Sequence, residues 1–402
     1  MREDSCTEIR IGDLGEVFTG RTPSTEYPAY FGNDFPFITP GDMRQGKYAR
    51  ATDRSVSHEG AELLKRIRLP ANSVCVSCIG WQMGETIMTD RPSFTNQQIN
   101  TIVPNSKVEP SFLYYSLRPR KQELLALGAT TGVRTPILNK SAFSDLKVKI
   151  PPLPVQRRIA GILSAYDELM ENSQRRIRLL EAMARALYRE WFVHFRFPGH
   201  NTKSSASDNS PDFVSGMLGD LCGLTKDTYD DAVHSELPLL DLAHMPSRTL
   251  APQDTGHPSE LTTSRIVFKK NDTLFGAIRC YLHKVVAAHY SGVTNTSVLV
   301  LRPKRPCFRS LLAIIASDAE TIRWAEAQST GTKMPVINWG IFQKMPAPVP
   351  SAGLAQEFEN IAGPMLDQIG VHAIQIQNLR RTRDLLLPRL LSGQVSLAVN
   401  GT

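Results

Sequence analysis

Residues 151–195 read PPLPVQRRIAGILSAYDELMENSQRRIRLLEAMARALYREWFVHF, and the rest of the chain is organised around them. After the prolines only Gly161 interrupts some forty residues rich in helix formers. Ile159, Ile162, Tyr166, Leu169, Ser173, Ile177, Leu180, Ala184, Leu187 and Trp191 recur at spacings of three and four. They form an apolar stripe, and Arg157, Arg158, Glu168, Glu171, Gln174, Arg175, Arg178, Glu181 and Arg185 fall on the remaining surface. One four-four step around Ser173 departs from a strict heptad, so the pairing is expected to drift there. At about 1.5 Å per residue such a helix is longer than a compact domain needs. It requires a partner of similar length.

The chain supplies one at its other end. NSVCVSCIGWQMGETIMTDRPSFTNQQINTIVPN starts at Asn72, and NDTLFGAIRCYLHKVVAAHYSGVTNTSVLVLRPK starts 199 residues later at Asn271. The same displacement carries Thr95-Asn96 onto Thr294-Asn295, Gly132 onto Gly331, Phe143 onto Phe342 and Pro151 onto Pro350. A repeat this long duplicates a whole domain rather than a solenoid unit. The second copy also ends in a helix, with Phe358, Ile361, Met365, Ile369, His372, Ile376, Leu379, Leu386 and Leu390 at three-four spacing. Gly363-Pro364 is expected to kink it or mark its start, and Pro388 to disturb its last turn. His372 reads as a packed histidine rather than a ligand. Between the copies, PGHNTKSSASDNSP at 198–211 is a polar linker.

The expected fold class is therefore α+β. Two similar globular mixed α/β modules are separated by two long antiparallel helices, a coiled-coil-like spacer, under an internal pseudo-two-fold repeat. The expected domains are 1–150, the central helix 151–197, linker and second module 198–350, and the C-terminal helix 351–402. Modules at the ends of a helical rod suggest a ruler.

The 402 residues carry a net charge of +7, with 41% hydrophobic and 21% charged residues, which tilts an ordinary soluble composition towards polyanionic partners. The N-terminus shows no signal-peptide pattern, no apolar run approaches the ~18 residues of a membrane span, and a cytoplasmic location is expected. Six cysteines form no disulfide framework, and Cys75-x-x-Cys78 has no second pair with which to hold zinc, so both read as buried thiols.

Catalytic motifs are missing. Gly41 to Lys47 matches a phosphate loop in spacing, but Tyr48 stands where a Mg²⁺-binding hydroxyl belongs and no helix opens directly after it. Ile150-Pro-Pro-Leu153 lacks the amide or acid and the aromatic of an amino-methyltransferase motif, and no G-x-G occurs for S-adenosylmethionine. Pro211-Asp212 is not followed by a nuclease pair. A metalloprotease or serine-hydrolase signature is absent as well.

Polar and basic residues gather in the repeated loops. The first copy offers Thr39, Arg44, Trp81, Gln82, Asn96, Gln97, Gln98 and Arg134; the second offers Arg279, Lys284, Asn295 and Lys333. Gln and Asn suit adenine edges, Arg and Lys suit guanine or phosphate, and Thr suits a thymine methyl. Repeated Thr-Asn positions also fit ordinary turn chemistry. Positions that differ between copies, such as Trp81 against Cys280, are the better specificity candidates.

Over nearly its full length the chain resembles the DNA-specificity (S) subunits of type I restriction–modification systems. FTGRTPSTEYPAYFGNDFPFITPGDM, LPANSVCVSCIGWQMGETIMTDRPSFTNQQ, IPPLPVQRRIAGIL…YDELMENSQRRIRLLEAM and the terminal RRTRDLLLPRLLSGQVSL carry the resemblance. It implies a non-catalytic, sequence-specific DNA-binding protein with two target-recognition domains, each reading half of a split, asymmetric double-stranded site. It implies helices that set the spacer and dock two methylation (M) subunits, with restriction (R) subunits in the full complex. By the same resemblance no cofactor sits on this chain, and S-adenosylmethionine, ATP and Mg belong to partner subunits. The second copy departs most from the pattern where HSELPLLDLAHM replaces FPFITPGDM. The rival readings are a protein-binding scaffold and a complete methyltransferase or nuclease.

Overall fold

The computed structural model describes residues 6–129, 134–198, 213–261 and 264–395. The expected linker therefore lies almost wholly outside the described residues, as does Gly132 of the repeat. The chain divides into two compact units, residues 1–171 with 380–402 and residues 172–379. The architecture is α+β, two mixed modules each followed by a long helix.

The displacement of 199 residues is visible in the backbone. In the first unit, strands Gly15–Thr19, Ile99–Pro104, Val74–Ser77 and Thr86–Met88 lie side by side in that order, all antiparallel. The second unit repeats the order with Cys222–Thr225, Val298–Pro303, Thr273–Gly276 and Val285–Ala287. Asn72 and Asn271 both adopt positive φ at the turn entering the central strand. Helices Pro110–Leu117 and Arg309–Ala316 cover the sheets, and nearly every side chain from the third position onward is buried. Helix Pro110–Leu117 is separated from Lys121–Ala129 by a tighter turn at Arg118–Arg120. Pro119 lacks the N–H that would continue the ladder there.

The copies diverge in their smaller sheets. In the first, Phe31–Ile38 pairs antiparallel with Arg54–Val56 and parallel with Phe94–Thr95. In the second, Asp227–Thr228, Arg265–Phe268 and Gly292–Asn295 form an all-antiparallel sheet. This is the region where the second sequence leaves the repeat pattern.

In each copy a two-stranded ribbon leads into the long helix: Thr7–Arg10 with Lys147–Ile150, and Phe213–Met217 with Pro346–Pro350. The helices run Leu153–Tyr188 and Ala352–Leu391. The second runs through Pro364 and Pro388 as one continuous helix, so neither proline acts as the stop its ring chemistry suggests. Within the first unit Asp167 meets Arg383, while Ile159 and Leu163 share a core with Leu387 and Leu390. Within the second, Ser173 meets Gln375, and Trp191 and Phe192 stack edge-on against Phe358. In both units the two segments run antiparallel.

The buried stripes differ in detail from the periodic reading. Leu169 and Ile361 are exposed, and Met170 and Ala362 turn inward instead. Glu181, placed by periodicity on the polar surface, is buried, accepting from Thr249 Oγ1 at 2.6 Å and the Leu250 N–H at 2.7 Å. His372 is packed, its Nδ1 3.3 Å from Gln375 Oε1. Cys75 and Cys78 are buried thiols, and desolvation pushes both up to about 12. Among the described residues no helix is long and apolar enough to cross a membrane.

Gly370 lets the ring of His289 lie against the second long helix; a Cβ there would sit 2.3 Å from the ring carbon Cγ. Burial lowers His289 to about 4, helped by the Arg309 cation and opposed by Asp367. An unfolded histidine titrates near 6.5, so between about 6.5 and 4 the unfolded chain takes a proton that the native chain refuses. The neutral ring's contribution is complete above about 6.5, and about 2–3 kcal/mol is expected to be lost as pH falls to 4. Urea unfolding at pH 7 and 4.5, comparing wild type with His289→Gln, reads it. An acid loss that is identical in the two proteins would remove His289 from the account.

Candidate nucleic-acid interface

The central strand of each four-stranded sheet ends in a rigid turn. In the first copy Gly80 and Gly84 both have positive φ, which only a residue without Cβ adopts readily. The Gly80 N–H donates to Pro136 O at 2.9 Å, Met83 N–H to Gly80 O at 3.0 Å, and Gly84 N–H to Ser77 O at 2.8 Å. In the second copy Arg279 and His283 take the left-handed positions. The Arg279 N–H donates to Pro335 O at 2.8 Å, and Leu282 N–H to Arg279 O at 2.9 Å.

The same strand ends gather the other polar loops. Cys78 N–H donates to Gln98 O, and Leu138 N–H donates to Cys78 O, so segments 80–84, 95–98 and 134–138 meet at one end of the first sheet. Ala277 N–H donates to Ser297 O, and Ile337 N–H to Ala277 O, which assembles 279–284, 295–297 and 333–337 at the same end of the second. Three stretches far apart in sequence form one surface in each module. Thr130 to Val133 of the first copy's third loop lie outside the described residues.

The individual candidates divide by what their side chains already do. Trp81, Gln82, Gln97, Arg134, Arg279 and Lys333 are exposed on these loops. Arg44 is exposed at 4.0 Å from Glu85. Thr39 caps the turn Pro40–Arg44, its hydroxyl donating to Asp42 Oδ2 at 2.7 Å. Asn96 closes the 95–98 turn, accepting from the Gln98 N–H at 3.1 Å and donating to Gln98 Oε1 at 3.0 Å. Asn295 does likewise, accepting from the Ser297 N–H at 3.0 Å. Lys284 donates to the carbonyl of Leu242. For the two asparagines the turn chemistry of the sequence reading describes what the side chains do.

Two cations escaped the sequence reading. Arg21 is exposed beside the first cluster, its N–H donating to Thr95 O at 3.0 Å, and Thr22 Oγ1 donates to Gln97 Oε1 at 2.8 Å. Gly20 permits this approach, since a Cβ would stand 2.2 Å from Asn96 O. Arg248 is exposed beside the second cluster, its N–H donating to His283 O at 2.8 Å. The glycine before Arg21-Thr22-Pro23 was a readable turn signal; nothing in the segment around Arg248 announced it.

The geometry offers guanidinium, ammonium and amide groups on loops held rigid by backbone bonds. Such groups reach base edges and phosphates. Among the described residues no group of three His, Cys, Asp or Glu stands where it would hold a metal ion.

Residues 3–182 match the family model of the type I restriction modification DNA specificity domain. Over 412 aligned residues the chain is 23% identical to the type I restriction enzyme MjaIX specificity subunit of Methanocaldococcus jannaschii, covering 96% of this chain and 92% of that relative. Over 176 residues it is 35% identical to the HindI specificity subunit of Haemophilus influenzae, covering 42% of this chain and 38% of that one. Its fold is similar to the crystal structure of a type I restriction–modification S subunit from M. genitalium, with a TM-score of 0.61 at 16% identity and 96% of both chains covered. Residues 3–182 thus carry the DNA specificity domain of type I restriction–modification systems, and nearly the whole chain is similar to specificity subunits of that kind.

Proposed function

We propose that this chain is the sequence-reading, non-catalytic subunit of a type I restriction–modification complex, and that each module reads one half of a bipartite, asymmetric DNA site. Residues 1–150 and 198–350 act as the two target-recognition domains. The helices of 151–197 and 351–402 set the spacer and dock two methylation subunits, with restriction subunits joining the full complex. S-adenosylmethionine, ATP and Mg act on those partners. The reading rests on one observation: the same three-loop cluster is built twice in one chain, on the same strand ends, with different exposed side chains. Two similar readers with different contacts suit an asymmetric split site.

In the first cluster Gln97, Arg21 and Arg134 serve as contacts; in the second Arg279, Arg248 and Lys333 do. Good bidentate base contacts are worth about 1–3 kcal/mol of discrimination. Methylome sequencing of cells carrying this chain with its methylation subunit is expected to show one bipartite motif. Gln97→Ala is expected to relax one half of that motif by about ten- to a hundredfold and leave the other half sharp. Arg279→Ala should relax the opposite half. Absence of any bipartite motif, with the methylation subunit active beside another specificity chain, would favour a protein-binding scaffold instead.

A further inference from the structure

The turn that ends the central strand presents a large aromatic side chain to solvent in both copies, and does so at positions that do not correspond. In the first copy Met83 is fully buried, against Gly128, whose added Cβ would stand 2.9 Å from its Sδ. That anchor turns Trp81 outward, and it is 67% exposed. In the second copy the anchor is Cys280, which aligns with Trp81, and the outward residues are Tyr281 at 47% and Leu282 at 41%. The inward anchor moves along the turn, yet an aromatic remains at each tip. An indole left mostly in water forgoes the stabilisation that burying its apolar surface would bring. The turn that carries it is fixed at both ends by left-handed residues and backbone bonds, so little conformational entropy remains to be lost on binding. Arg21 and Arg134 lie on loops that backbone bonds bring to the same strand end, Lys121 packs on Gly84, and Arg44 and Lys121 both face Glu85, which suits a polyanion rather than an apolar protein groove.

We infer that Trp81 is a wedge: its indole enters the base stack of the bound duplex at the half-site read by the first module. Tyr281 is the corresponding wedge of the second. This rests on the reading of the chain as a DNA-specificity subunit and names how that site engages its duplex. Apolar side chains inserted between base steps unstack them and kink the duplex by about 20–90°. The affinity gained by stacking depends little on which base is met, so the wedge adds binding and shape selection while Gln97 and the arginines read edges.

The test uses the full chain assembled with its methylation subunit on an end-labelled duplex carrying the methylated motif. Energy transfer between the ends reads the bend. Wild type is expected to bend the duplex, Trp81→Ala to straighten it by at least about 20° and to weaken binding about 5- to 100-fold, and Trp81→Phe to retain most of both. An unchanged bend and affinity in Trp81→Ala would overturn the wedge and leave the specificity reading standing. Loss of the methylation subunit from the Trp81→Ala complex on size exclusion, with DNA bending intact, would assign Trp81 to a protein contact and likewise overturn it. No site-specific binding by wild type would overturn both.

Discussion

Asp167→Ala is expected to destabilise the first unit by about 3–5 kcal/mol, the cost of stranding a buried cation. Asp167 lies on the first long helix and accepts from Arg383 at 2.5 Å and from the Tyr115 hydroxyl at 2.6 Å. Arg118 lies 3.9 Å away, and both Asp167 and Arg383 are largely buried. One carboxylate thus joins the covering helix of the first module, the helix that follows it and the last helix. Without it Arg383 keeps, among the described residues, the more exposed Asp384, at 2.7 Å. Hydrogen exchange across 153–171 and 380–391, with urea unfolding, measures the loss. A double-mutant cycle with Arg383→Ala should return a large coupling, because the second truncation removes the stranded charge. A loss under 1 kcal/mol for Asp167→Ala would mean the pair is decorative.

Phe358→Ala is expected to cost the second unit about 3–5 kcal/mol. Phe358 has no exposed surface and sits at centroid distances of 5.7 Å from Trp191 and 5.1 Å from Phe192, both edge-on. These rings join the end of the first long helix to the start of the second beneath the sheet core of the second module. Removing the ring deletes both its transfer free energy and its partners' contacts, in a place where two helices hold the walls apart. Phe358→Leu keeps most of the volume and should lose less than half as much. Faster exchange confined to residues 172–379 is the expected signature, and a shared loss in both units would show that the cluster does not act locally.

The polar loops show how far a one-dimensional reading reaches. Asn96 and Asn295 stood out because they repeat, and they repeat because each closes the same turn with its own side chain. Trp81, preferred in the sequence because it differs between the copies, is left facing solvent, as are Gln97 and Arg279. Lys284 has the charge of a phosphate contact, yet it donates to Leu242 O. Residue type announces what a side chain is able to bind; its neighbours decide whether that capacity is already used.

By itself the sequence determined that a module of one kind occurs twice and that each copy ends in a long amphipathic helix. Both are properties of spacing along the chain: a displacement of 199 residues and a three-four stripe survive without coordinates. Only the tertiary structure decided which members of those patterns face inward. Glu181 and Arg383 are buried where periodicity placed a polar surface or no contact at all, because partners from distant segments satisfy their charge. Leu169 and Ile361 are exposed because the neighbouring Met170 and Ala362 fill the seam. The proposed DNA-facing surface arises the same way, from backbone bonds that bring Arg21, Gln97 and Arg134 to one strand end, and Arg248, Arg279 and Lys333 to the other. A hydrogen bond between residues scores apart leaves no trace in local spacing, and both clusters are made of such bonds.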